Sequence, residues 1–173
     1  MTLNDVLDMS AVDGGFEFVL DAEEMKIDAI VDNLHIAQHG EAPLIAPVIA
    51  TATARIVDND ATFDYVLSTP SGDQLGAGRG TQNMQQASGE TVFSFEGLKF
   101  IQGGVQPNEL SPLLKGFVDA AVGEMGGEMV FGWSESGITS SAGFSFKDIS
   151  FGGPTRAVTR TTGFNGNLAL TNL

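Results

Sequence analysis

Cysteine is absent from the 173 residues, which excludes a disulfide framework and thiolate chemistry. Basic residues are scarce: 8 Lys and Arg stand against 22 acids, a net charge of −14. A phosphate-backbone binder needs a basic patch, so nucleic acid is excluded as a partner. Trp133 and Tyr65 are the single Trp and the single Tyr, too few for the stacking platform of a sugar site. No histidine follows His39 and no G-x-S-x-G is present, so a serine-hydrolase triad is not built here. The longest apolar run, Ala42 to Ala50, is too short to cross a bilayer and contains Pro43 and Pro47. Residues 1–15 lack a basic start and include Asp5, Asp8 and Asp13, unlike a secretory leader.

What the chain does have is phenylalanine and glycine. Phe supplies 12 residues, and it brings apolar area with no polar handle, which suits a core or a lipid-facing wall. Gly is high at 22 and punctuates turns and bulges. Apolar residues make up 42% of the chain, enough to build a core, while charged residues at 17% fall below the roughly 25% of average domains. The acidity is uneven: residues 1–73 carry a net −12 and residues 74–173 a net −2, which reads as a solvated N-terminal face.

The rhythm along the chain is that of strands. Phe16, Phe18 and Leu20 alternate with polar neighbours, as do Ile27, Ala29 and Val31, followed by Leu34 and Ile36. Asp58, Asn59 and Asp60 form a tight turn between Ala50–Val57 and Thr62–Ser68, a hairpin signal. Residues 70–73 turn again, and Gln74–Gln82 carries Gly76, Gly78 and Gly80 on one face. After a turn at 87–90, Phe93 and Phe95 share a side, with Leu98 and Phe100 continuing beyond Gly97. Met129, Phe131 and Trp133 share a face; so do Ile138, Ser140, Ala142, Phe144 and Phe146; and so do Phe164, Gly166, Leu168 and Leu170. One helix is expected over 111–125, with Ser111 as N-cap, Pro112 in the first turn and an apolar stripe of Leu110, Leu113, Leu114, Phe117, Ala121 and Met125. Gly126 and Gly127 would end it.

Candidate chemistry is thin. His35 and His39 would share a face only on a helix; on a strand they lie roughly 13 Å apart, so no metal site is expected. Counting from Asp58, the sixth and twelfth positions of a calcium loop hold Phe63 and Thr69 instead of Gly and an acid. Gly76, Gly78 and Gly80 match neither the dinucleotide fingerprint nor a P-loop; alternate glycines in a strand allow close approach or a bend. Two converging carboxylates would be needed for an envelope hydrolase. No catalytic residue, cofactor or metal is assigned.

A resemblance adds to this reading. The Gly78–Gly80 and Leu98–Phe100 strands, the link Val105, Gln106, Pro107, Leu110, Ser111, Pro112, the helix through Gly116, and the strand Gly127, Met129, Val130, Phe131, Gly132, Trp133 carry it. Gly143–Ser150 and the ending Gly163, Phe164, Gly166, Leu168, Leu170, Leu173 extend it. Together Gly80–Leu173 resembles the C-terminal region of the YdbH family, grouped with the AsmA-like and TamB-like bridge proteins of the Gram-negative envelope; residues 1–73 share only the strand rhythm. The resemblance implies a curled β-sheet open along one side, whose apolar inside shields phospholipid acyl chains between the two membranes without catalysis. It further implies a periplasmic location, an inner-membrane anchor absent from this chain, and a small outer-membrane lipoprotein as partner. The older family label, dicarboxylate transport, would need a buried basic clamp that this sequence lacks.

The expectation is therefore a mainly β, elongated antiparallel sheet with one amphipathic helix near 111–125. The chain would be a single segment of a larger protein, with strands over 1–105, the helix over 108–125 and strands over 127–173. The residues expected to face lipid are Phe93, Phe95, Phe100, Phe131, Trp133, Phe144, Phe146, Phe164, Leu168 and Leu170. The alternative is a non-enzymatic β-sandwich module for binding or adhesion at the cell envelope, with a closed core about 10 Å thick.

Overall fold

The computed structural model describes residues 7–17, 26–38, 43, 45–115, 118–152 and 161–171. Among the described residues, nine antiparallel strands follow one another in a single sheet in strict sequence order: β1 (Leu7–Glu17), β2 (Lys26–Gln38), β3 (Val48–Val57), β4 (Asp60–Ser68), β5 (Gln74–Asn83), β6 (Ser88–Phe100), β7 (Asp119–Ser134), β8 (Gly137–Gly152) and β9 (Thr161–Thr171). Each strand pairs only with its chain neighbours, so β1 and β9 are edges and the sheet is open. There is one sheet, not the two packed layers of a sandwich. At about 4.8 Å per strand, nine strands span roughly 38 Å.

Tight turns account for the meander. Val57 pairs with Asp60 across a two-residue turn in which Asp58 has φ 55°, and Ser134 pairs with Gly137 across Glu135 and Ser136. The turn between β5 and β6 occupies 84–87, a few residues before the expected position, so Gly89 and Glu90 already belong to β6.

The helix is where sequence and structure part. Among the described residues only Pro107–Leu110 is α-helical (α1), followed by a 3₁₀ turn at Pro112–Leu114; residues 119–125 lie in β7, so the last strands begin at 119 and not at 127. The helical stripe was ambiguous. Ala121 and Met125 recur at a spacing of four, which also fits the period of two through Gly123, Gly127 and Met129. Gly123, Gly126 and Gly127 lower helix propensity, and Val118 and Val122 favour extended backbone. The stripe's Phe117 lies outside the described residues, as do Phe18, Leu20 and His39.

The sheet curls through bulges. Register shifts fall between Val31 and Leu34, Phe95 and Leu98, Phe146 and Ile149, and at two places near the start of β7. Positive φ at Asn33, Gly97, Ala120 and Asp148 marks the extra residues. A bulge bends its strand and raises its twist. It also resets parity: Leu98 and Phe100 stay on the face of Phe95, and Ile149 and Phe151 on that of Phe146.

Candidate functional site

Register places most of the large apolar side chains of β3 to β9 on one face, with Val66, Val92 and Val130 among the exceptions. Across it, large and small residues alternate from strand to strand. Ala50, Ala52 and Ala54 of β3 pair with Leu67, Tyr65 and Phe63 of β4, which pair in turn with Gly76, Gly78 and Gly80 of β5. Gly78 then pairs with Phe93 of β6, Phe95 with Gly127 of β7, and Gly127 with Phe144 of β8. Facing rings therefore have room to lie down over glycine instead of standing upright, the arrangement by which aromatic residues cover glycines in sheets.

The opposite face is polar. Asp64, Arg79, Glu90, Glu124, Glu128 and Lys147 sit there, with a cross-strand pair of Lys147 Nζ and Glu124 at 3.9 Å and another of Arg55 and Asp28 at 3.6 Å. These pairs are exposed and contribute little to stability.

A strap covers one end of the apolar face. It consists of α1, the following 3₁₀ turn and the link 45–47, which are joined by a bond from Ala46 N–H to the Leu110 carbonyl at 2.9 Å. Gln106 anchors it. Its side-chain oxygen accepts from Ala121 N–H at 2.8 Å, and its Nε2 donates to the carbonyls of Ile101 at 2.8 Å, Val105 at 3.2 Å and Ala121 at 3.3 Å. The Gln106 backbone N–H donates to Glu109 Oε2 at 2.8 Å, fixing the first turn of α1. Beneath the strap, buried Phe100, Ala121 and Ile149 form a small core with Leu98, Leu110, Val118, Met125, Phe146 and Phe151 packed on it.

Beside that core lies a cavity of about 570 Å³. Its sheet wall is made by Leu67, Leu75, Phe93, Phe95, Leu98, Phe100, Met125, Met129, Phe144, Phe146, Ile149 and Phe151, and its roof by Ile45, Pro47, Pro107, Leu110, Leu114 and Val118. Glu109 is the one ionisable residue of the lining, with its carboxylate occupied by Gln106. The remaining polar side chains of the lining are the hydroxyls of Thr69 and Ser111, and among the described residues no three His, Asp or Glu side chains converge on a metal position. What the arrangement can do is remove hydrocarbon from water. The volume falls in the range of small-molecule pockets.

Of the ten residues expected to face lipid, Phe93, Phe95, Phe100, Phe144 and Phe146 line the cavity. The other five share the face by register but lie beyond it: Phe131 and Trp133 towards the β7–β8 turn, and Phe164, Leu168 and Leu170 on edge strand β9. Phe164 and Leu168 are 49% and 46% exposed, whereas Phe93, Phe95 and Phe100 are buried. Sequence reasoning missed Phe63, Tyr65 and Leu67, although they alternate within Thr62–Ser68 opposite the glycines of β5. It also missed Ile149 and Phe151, because the bulge at Asp148 moves them across parity, and Gln106, whose role depends on a contact 15 residues away. Among the described residues no helix is long and apolar enough to cross a membrane.

No family model, curated protein or solved structure matches this chain.

Proposed function

We propose that the apolar face of this sheet shields the acyl chains of phospholipid, as part of a non-catalytic protein that carries lipid between the membranes of a Gram-negative envelope. The observation that carries the reading is the cavity under the strap, about 570 Å³ and walled by Phe, Leu, Met and Ile side chains. An apolar cleft of this kind offers apolar guests removal from water. Each methylene that enters gains ~0.8 kcal/mol, so a short length of chain suffices for measurable binding. The open, one-layer sheet supports the same reading, since its apolar face extends past the cavity to β9 instead of meeting a second sheet. The resemblance of Gly80–Leu173 to the YdbH family points the same way and supplies the periplasmic setting, the membrane anchor elsewhere in the parent protein and the lipoprotein partner.

The test is mass spectrometry of lipids that co-purify with the full chain after export to a bacterial periplasm. Leu114→Asp is the control, because Leu114 lies at the exposed edge of the cavity roof and can take a charge without burying it. Phospholipid on the wild type, reduced on a variant with an unchanged circular dichroism spectrum, is the expected result. Wild-type protein with no lipid above background would overturn the proposal.

A further inference from the structure

Beyond the cavity, a row of rings continues across the sheet. Phe144, Phe95 and Phe93 line the cavity; Tyr65 and Phe63 lie outside it. Their centroids are spaced 6.0 Å (Phe144 to Phe95), 5.9 Å (Phe95 to Phe93), 6.2 Å (Phe93 to Tyr65) and 6.2 Å (Tyr65 to Phe63). The row runs from β8 to β4, roughly 19 Å at the usual strand spacing.

The rings lie flat. Tyr65 starts on β4, passes over Gly78 of β5 and reaches β6, where its hydroxyl shares a 3.0 Å hydrogen bond with Thr91 Oγ1. Its plane is within 8° of that of Phe93. Phe63 lies over Gly80, Phe93 over Gly76 and Phe95 over Gly127. Each glycine makes the space its ring fills. A Cβ at Gly76, Gly80 or Gly127 would also strike backbone oxygen, of Ser94, Glu90 and Gly143 respectively, so those three serve the sheet as well as the ring. Gly78 differs: the three atoms closest to a Cβ there all belong to the Tyr65 side chain. The β5 backbone lies beneath, so a displaced Tyr65 ring can move only outward, into the groove.

We propose that the near-parallel rings of Phe93, Tyr65 and Phe63 form a track on which one extended alkyl chain lies as it leaves the cavity across β6, β5 and β4, and that Gly78 keeps the track open by leaving room for Tyr65 to lie down. The inference rests on the lipid-shielding reading above and assigns to it a second stretch of binding surface, a chain geometry and a residue that controls access. A flat ring face accommodates a linear chain along the row, whereas an upright ring stands across its path.

The experiment measures binding of cis-parinaric acid, a linear fluorescent fatty acid, to the full chain and to Gly78→Ala, Tyr65→Ala and the double variant, with circular dichroism on each. Gly78→Ala is expected to weaken binding about tenfold or more. Tyr65→Ala removes the ring that would rise, so the double variant is expected to bind within about threefold of Tyr65→Ala alone. Wild-type binding with Gly78→Ala unchanged would overturn the track and leave the cavity standing. A double variant no better than Gly78→Ala, or a Gly78→Ala chain that loses its β signal, would overturn it too, since the glycine would then serve the sheet and not the groove. Absence of binding to the wild type would sink the lipid-shielding reading itself.

Discussion

Replacing Gln106 with Met tests how the strap is held. The two side chains are similar in length, but Met offers no donor and only a weak acceptor. In the native protein the Gln106 amide acts like a residue of a neighbouring strand: its oxygen accepts from Ala121 N–H at 2.8 Å and its nitrogen donates to the Ala121 carbonyl at 3.3 Å. The mimicry is needed because β7 departs from regular pairing here, with register shifts either side of Val122 and φ 51° at Ala120. Ala121 is 1% exposed, so water cannot take over. An orphaned buried N–H costs about 1–3 kcal/mol, and the lost bond to Ile101, at 2.8 Å, adds about 0.5–1.5 kcal/mol. A destabilisation of about 2–4 kcal/mol is expected from urea unfolding of the full chain. Hydrogen exchange reads the same bond locally: the Ala121 amide should exchange at least about tenfold faster in the variant. Unchanged stability within about 0.5 kcal/mol together with unchanged Ala121 protection would refute the reasoning, since the strap would then be held by packing alone.

Two further outcomes separate buried from open parts of the same face. Phe95→Ala, which removes a buried ring packed on Gly127, should cost about 3–5 kcal/mol, whereas Phe164→Ala on the β9 edge should cost less than about 1 kcal/mol; comparable losses in denaturant titrations would contradict the uneven covering of the face. At the β6 bulge, Gly97 has φ 66° and open space around a would-be Cβ, whose closest neighbour is Glu124 Oε1 at 3.5 Å. Gly97→Val should therefore lose about 1–2 kcal/mol through backbone conformation alone, and Gly97→Asn, which tolerates the left-handed region, distinctly less; equal losses would point to sterics.

Much of the fold was legible because a sheet that meets water on one side writes its alternation into the sequence. Ile27, Ala29 and Val31, then Leu34 and Ile36, predicted a strand, and the change of parity between Val31 and Leu34 is explained by the bulge at Asn33. Phe93, Phe95, Leu98 and Phe100 did the same around Gly97. The stretch after Ser111 misled because apolar residues at spacings of four satisfy both periods, and only long-range pairing with β6 and β8 decides between them. The site was half legible. Phenylalanine parity found the sheet wall of the cavity, but the roof depends on the 107–114 strap folding back over β7, a tertiary event that no local pattern encodes. The glycines of β5 were read as permitting close approach; what approaches, the rings of Phe63, Tyr65 and Phe93, required the register to identify.

A one-layer sheet faces a difficulty that a sandwich does not: its apolar face has no partner layer to exclude water. This chain meets it in two ways that act in different places. Under the strap, Leu110 and Val118 supply a second layer over Phe100, Ala121 and Ile149. Away from it, the rings of Phe63 and Tyr65 lie over Gly80 and Gly78 and cover backbone that would otherwise be wetted. Neither device covers Phe131 and Ile138 by the β7–β8 turn or Phe164 and Leu168 on edge strand β9, which stay exposed. Stability should therefore be graded across the sheet, with β6 to β8 near the strap opening last and β9 opening first. The same gradient suits the lipid groove proposed above, because the apolar surface is continuous while its enclosure is not.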